Sequence, residues 1–262
     1  MIRIEHPETF GWEAAIRGMR NPMNSWGKSD SGYRHYTDLT HIDMGLFDYP
    51  QNINDELEIG SNDLELMKRL RNAGTDHRKF MRMIAVYLDI TAPLYWWKEF
   101  DTYKVGTVAN SCSTMHKITE KKFTLEDFSC EHLFDENSLP PYEEQVDIAH
   151  CEPLAAIDAN GQWCYYTPKT FVQMTCNVLN HFRDLYLKTK DKKYWWQIIQ
   201  LLPISYNQRR TVMLNYEVLA NIYKSRRNHK LDEWHIFCDW VKTLPYSKLI
   251  IGVQPSDAAQ VH

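Results

Sequence analysis

The chain lacks the short strings that mark the commonest phosphate, metal and acyl chemistries. No P-loop, GxGxxG, HExxH or GxSxG occurs among its 262 residues, which removes support for the usual nucleotidases, zinc proteases and hydrolases. Its six cysteines, at 112, 130, 151, 164, 176 and 238, form no CxxC pair and no metal-like spacing with histidine. They read as reduced thiols of an intracellular protein, and no metal site is expected. No window approaches eighteen uninterrupted apolar residues, and the opening MIRIEHPETF carries charge from its third residue. The expectation is therefore no transmembrane helix, no secretory signal and a soluble cytoplasmic protein. Charge of one sign is also scarce. A net charge of -4 gives no overall case for nucleic-acid binding, and the local set Lys224, Arg226, Arg227 and Lys230 reads as a solvated helix end, with a basic patch as the alternative.

What is present is apolar and aromatic material. With 44% hydrophobic and 13% aromatic residues, the chain can bury a sizeable core, and we expect one domain over 1–262. Residues 2–5 alternate weakly as a strand start, and 9–20 reads as a helix with Thr9 at its N-cap. Residues 21–60 are rich in Asn, Asp, Ser, Gly and Tyr, which favours a long irregular or lid-like segment. A second helix starts at Asn62 or Asp63 and stops at Gly74. Residues 80–89 read as a strand, with a helix from Ala92 that has Pro93 near its first turn. Residues 123–147 read as partly helical, with a turn at Gly161. Helices are expected over 170–186, with Phe171, Met174, Val178, Phe182 and Leu185 on one side, over 194–202 and over 231–244.

Three stretches carry candidate chemistry. Trp96, Trp97 and Phe100 form an aromatic cluster that is either core packing or a stacking platform for a ring-shaped ligand. Residues 99–117 are small and hydroxylated: Thr107, Asn110, Ser111, Ser113 and Thr114 crowd around Gly106, as a ligand loop or an ordinary capped loop. Cys112 in that run reads as a buried inert thiol rather than a nucleophile. Residues 209–226, RRTVMLNYEVLANIYKSR, read as one helix on which Asn215 and Arg226 share a stripe with Val218, Leu219 and Ile222. An unpartnered guanidinium on such a face would cost several kcal/mol, roughly, so Arg226 should meet an anion, a polar ligand or another subunit.

The run MLNYEVLANIYKSR resembles the flavin-dependent thymidylate synthase family, which places an Asn, a second Asn six residues later and an Arg five after that; here they are Asn215, Asn221 and Arg226. LLP at 201–203 is similar to the family's Leu-Pro turn, at the same offset from Asn215. HRKF at 77–80 and ITAPLYWWKEF at 90–100 resemble the family's Glu-His-x-x-Phe strand and its Ala-Pro segment. The signature RHRxxSxNxxSxRY is replaced by YKVGTVANSCSTMH: Tyr103, Lys104 and Val105 stand for Arg-His-Arg, and Met115 and His116 for Arg-Tyr. A register anchored on Pro93 instead puts Lys104 on the third basic position and Thr107 on the first Ser. The likeness is weak over 3–20, closer over 62–116 and closest over 199–240, with insertions near 21–60 and 118–170.

The resemblance implies an α+β fold with an antiparallel sheet flanked by long helices, and a homotetramer with active sites between subunits. It implies FAD, dUMP and methylenetetrahydrofolate as participants, with NADPH as reductant, in the reductive methylation of dUMP to dTMP. Arg226 would be the catalytic cation. His77, Asn110, Asn215 and Asn221 would hold the flavin, and Lys104, Thr107, Ser111 and Ser113 the nucleotide. Two arginines that clamp the nucleotide phosphate in the family fall on Met115 and Ile199 here, and Lys104, Lys98, His116 and Arg209 are the cations to compensate. The implied alternative is a catalytically inactive protein on the same fold that binds a nucleotide or a partner.

Overall fold

The structure, a computed structural model, describes residues 1–37, 53–135, 138, 155–157, 163–165 and 167–252. Its first half runs β1 (Arg3–Phe10), α1 (Trp12–Arg20), 3-10 turns at Asn21–Met23 and Trp26–Lys28, β2 (Gly32–Thr37), β3 (Ile53–Glu58), α2 (Ser61–Asn72), a 3-10 turn at Arg78–Met83, β4 (Ala85–Pro93) and α3 (Leu94–Phe100). There follow β5 (Val108–Ser111), a 3-10 turn at Leu125–Asp127, β6 (Ala155–Ile157), β7 (Trp163–Tyr165), α4 (Pro168–Thr189), α5 (Lys192–Leu201), β8 (Asn207–Asn215), α6 (Tyr216–Arg226), α7 (Asp232–Thr243) and α8 (Lys248–Ile251). Four strands form a sheet in the order β1-β4-β8-β5, and β2-β3 and β6-β7 are antiparallel pairs. The expected α+β class with an antiparallel sheet is the class observed. No helix among the described residues is long and apolar enough to cross a membrane.

The chain divides into two compact units. One comprises Met1–Glu5, Asp89–Thr102 and Ala109–Thr211. Here Trp96, Trp97 and Phe100 are fully buried, and the Trp97 indole Nε1 donates to the Gln208 carbonyl at 2.9 Å, so the aromatic cluster is core. α4 starts where Thr167 accepts from the Thr170 N–H and Pro168 occupies the first turn. Its buried face is Cys176, Leu179 and Arg183, whereas Phe171, Met174 and Val178 are exposed. Arg183 displaces the expected stripe because its guanidinium satisfies the Thr119 and Glu120 carbonyls, at 2.9 and 3.1 Å. Between 123 and 135 the only helical turn is Leu125–Asp127, so the helix expected there does not form in the described part. Gly161 lies outside the described residues.

The other unit comprises His6–Leu88, Tyr103–Val108 and Val212–His262. Its first helix begins at Trp12 rather than after Thr9, because Gly11 caps it with φ +92 and a Cβ there would fall 2.0 Å from the Met83 carbonyl oxygen. Residues 21–31 are not a free lid. Asp63, fully buried on α2, accepts from Arg20 Nε at 2.6 Å and from the hydroxyls of Ser29 and Ser31 at 2.6 and 2.7 Å. Arg20 in turn donates to the carbonyls of Ser25 and Lys28, so one ion pair closes the whole turn. Residues 38–52 of the expected lid-like segment lie outside the described residues. The cap of α2 is neither Asn62 nor Asp63. The Asp30 carboxylate accepts from both of their N–H groups, at 2.9 and 3.1 Å.

The strand expected over 80–89 starts later. Phe80 and Met81 sit in a 3-10 turn, and β4 alternates burial at Val86, Leu88, Ile90 and Ala92. Two elements replace the single helix expected over 209–226. β8 carries Val212 and Leu214 inward at period two, and only from Tyr216 does the period become 3.6. α7 buries Trp234, Phe237, Cys238 and Val241, as its spacing predicts.

Asp63→Ala should destabilise the protein by about 3–5 kcal/mol, because it strands the buried Arg20 guanidinium. Burial alone would raise the Asp63 carboxyl, but the hydrogen bonds from Ser29, Ser31 and Arg20 outweigh it and hold the group below its ordinary value. The folded-state value is depressed, so the wild-type advantage should be present above the unfolded-state value of about 3.9 and disappear as pH falls through the folded one. Urea unfolding of both proteins between pH 7 and pH 2 checks this; a constant difference down to pH 2 would contradict it.

Candidate functional site

The junction between β8 and α6 positions most of the candidate residues. Asn215 ends the strand in an extended conformation and caps the helix, its Oδ1 accepting from the Val218 N–H at 3.0 Å. It is buried, and its amide nitrogen lies against Gly106, where a Cβ would approach to 2.8 Å and meet Val218 at 3.3 Å. Gly106 has φ +80, so the 103–108 loop touches α6 by backbone alone. Beside it the Thr107 Oγ1 is buried and has no hydrogen-bond partner among the described residues, a cost of about 1–3 kcal/mol unless a ligand or water supplies one.

Arg226 ends the same helix and is half-buried. Its Nε donates to the Tyr103 hydroxyl at 3.0 Å, and its guanidinium lies 5.0 Å from the Trp234 ring centre and 5.7 Å from that of Tyr103. The two aromatic faces and the phenol hold the cation in place. Tyr103 and Trp234 were not legible as site residues, because their bearing on Arg226 comes from a loop and a later helix. Asn215 and Arg226 do not share a helical stripe, since Asn215 precedes the helix.

Asn221 is exposed, and its Oδ1 accepts from Arg78 Nη2 at 3.0 Å. Arg78 Nε and Arg82 Nε each bond one oxygen of Glu217, a buried carboxylate in the first turn of α6. Burial would raise Glu217, but the hydrogen bonds and charges of Arg82 and Arg78 bring it below its ordinary value. His77, the residue before this turn, is exposed, as is Lys104. His77, Lys104, Thr107, Asn215, Asn221 and Arg226 thus all belong to the second unit. An open recess of about 420 Å³ in that unit, lined by Glu8, Phe10, Gly11, Met83, Ala85 and Tyr87, includes none of them.

Asn110, Ser111 and Ser113 belong to the first unit. Asn110 and Ser111 are exposed on β5, so the run expected as an irregular loop is in part a sheet strand. Ser113 Oγ accepts from the N–H groups of Met115 and His116, a local turn of its own. Cys112 is exposed rather than buried. Among the proposed compensating cations, Arg209 is committed to Asp89 at 2.6 Å, while Lys98, Lys104 and His116 are exposed. Ile199 packs against the cluster of Phe123, Phe128 and Leu179, and the Met115 carbonyl accepts from the Trp195 indole.

No family model matches the chain, and no curated protein does. Solved structures do. The flavin-dependent thymidylate synthase ThyX of Helicobacter pylori, complexed with FAD and dUMP, is 15% identical and superposes with a TM-score of 0.58 over 95% of this chain and 98% of its own. A second structure of that enzyme with FAD and dUMP is 16% identical, with a TM-score of 0.56 over 96% and 98%. The UMP/dUMP methylase PolB of Streptomyces cacaoi, bound with 5-Br dUMP, is 11% identical, with a TM-score of 0.51 over 93% of this chain and 89% of its own. Nearly the full length of each protein is matched, and the chain has the fold of the flavin-dependent thymidylate synthases.

Proposed function

We propose that the protein is a flavin-dependent enzyme acting on a pyrimidine nucleotide, with the reductive methylation of dUMP to dTMP as its reaction. One observation carries this reading: in a chain with the fold of enzymes solved with FAD and dUMP, a single capped helix bears Asn221 and ends in an Arg226 held by Tyr103 and Trp234. Polar groups for a ring-shaped ligand are at hand: Thr107 carries a buried hydroxyl with no partner among the described residues, and Asn221 has an amide nitrogen to donate.

FAD, when bound, supplies the hydride, and methylenetetrahydrofolate the carbon, with NADPH restoring the reduced flavin. The chain contributes position and charge. By the family resemblance, His77, Asn110, Asn215 and Asn221 would hold the flavin, and Lys104, Thr107, Ser111 and Ser113 would hold the nucleotide. Arg226, held by the Tyr103 hydroxyl and two rings, offers a fixed cation to a pyrimidine carbonyl oxygen. Negative charge that builds there as the ring carbon becomes nucleophilic is stabilised without reorganising the site. We place this activity in a cytoplasmic homotetramer. A second reading, binding without turnover, is favoured by Ile199 and Met115 at the positions of the family's phosphate arginines, because neither can make a charge-assisted bond.

The purified protein should carry a yellow chromophore or gain flavin absorbance on adding FAD, and convert dUMP to dTMP when given folate and a reductant. No spectral change with FAD sinks the enzyme reading, and flavin binding without turnover favours the second. Arg226→Ala should lower turnover at least about a hundredfold while leaving the protein folded, since a charged hydrogen bond and two cation–π contacts are together worth about 2–5 kcal/mol. A large fall in melting temperature with unaltered nucleotide binding would mark Arg226 as structural.

A further inference from the structure

Glu217 is only 5% exposed and is met by two guanidinium groups, one on each oxygen. One cation would neutralise it; the second leaves positive charge over. Arg71 adds to this charge: its guanidinium is tied to the carbonyls of Leu249 and Ile250, and the positive charge of Arg78 bears on it. The other acidic group that bears on Arg82 is Asp76. Around Glu217, two guanidiniums thus share one carboxylate, and their charge is held in place rather than spread on flexible lysines.

The bonding pattern also leaves donors without a hydrogen-bond partner among the described residues. Arg78 and Arg82 each reach Glu217 through Nε. No hydrogen bond is made by Arg82 Nη1 or Nη2, or by Arg78 Nη1, among the described residues. Arg78 Nη2 takes up the Asn221 Oδ1, which fixes the amide with its nitrogen free to donate. Arg82 is 57% exposed and can be reached from solvent. Guanidinium donors positioned by a buried carboxylate match the oxygens of a phosphate group.

We propose that Arg78 and Arg82, positioned by Glu217, bind the phosphate of a ligand beside Asn221. This rests on the reading of Asn221 as a ligand residue and deepens it. The phosphate belongs either to a dinucleotide cofactor or to a nucleoside monophosphate, and the two give different results.

Calorimetric titration of the full chain with inorganic pyrophosphate, FAD and dUMP, in the wild type and in Arg82→Gln, Arg82→Lys and Arg78→Gln, tests it. The wild type should bind pyrophosphate with an affinity that falls as salt rises. Arg82→Gln and Arg78→Gln should each weaken it about tenfold or more, and Arg82→Lys less, because charge survives and the fork does not. A parallel loss for FAD with dUMP unchanged assigns the site to the dinucleotide; the reverse assigns it to the monophosphate. Pyrophosphate affinity unchanged in folded glutamine variants, verified by their melting temperatures, overturns the proposal. Wild type that binds pyrophosphate but neither FAD nor dUMP overturns the flavin reading alone and leaves the anion site standing.

Discussion

A carboxylate taken out of water must find a cation, and much of the second unit follows from that requirement. Asp63 and Glu217 are two such groups around which its elements are tied. Asp63 draws in Arg20, Ser29 and Ser31, which pins the turn between α1 and β2 to the start of α2. Glu217 draws in Arg78 and Arg82, which pins the turn before β4 to the start of α6. In each case a segment that has little periodicity of its own is ordered by a partner distant in the chain.

The second pairing bears directly on the site. Because Arg78 bridges Glu217 and Asn221, the helix that ends in Arg226 also fixes a set of cations along its flank. Its two ends are held by different means. At the start, Asn215 caps the helix and rests on the Cβ-free backbone of Gly106; at the end, the Tyr103 hydroxyl and the rings of Tyr103 and Trp234 hold the guanidinium of Arg226. A residue that caps a helix has one lone pair of its amide oxygen already used, which leaves Asn215 the second lone pair and its amide nitrogen to offer a ligand.

The β8–α6 junction also shows how a helical wheel can mislead. Val218, Leu219 and Ile222 alone account for the stripe seen in 209–226, and all three lie in the true helix. The preceding RRTVML alternates with period two, with Val212 and Leu214 inward. Asn215 followed by Glu217 in the first turn is the start signal that separates the two, and it was present in the sequence. Likewise the stripe on α4 was shifted by Arg183, a charged residue that helical pattern assigns to solvent and that two backbone carbonyls bring inside.

By itself the sequence determined what depends on near neighbours. The α+β class and the inward face of α7 follow from local periodicity and composition, and the Asn215, Asn221, Arg226 spacing points to the fold through its resemblance to a known family. Tertiary structure alone decided what surrounds each candidate group. Arg20 and Asp63 are 43 residues apart, Arg226 and Tyr103 are 123, and Arg82 and Glu217 are 135. Periodicity reports which side of an element faces inward. It carries no information about which distant side chain waits there, and the chemistry of this site is set by those distant partners.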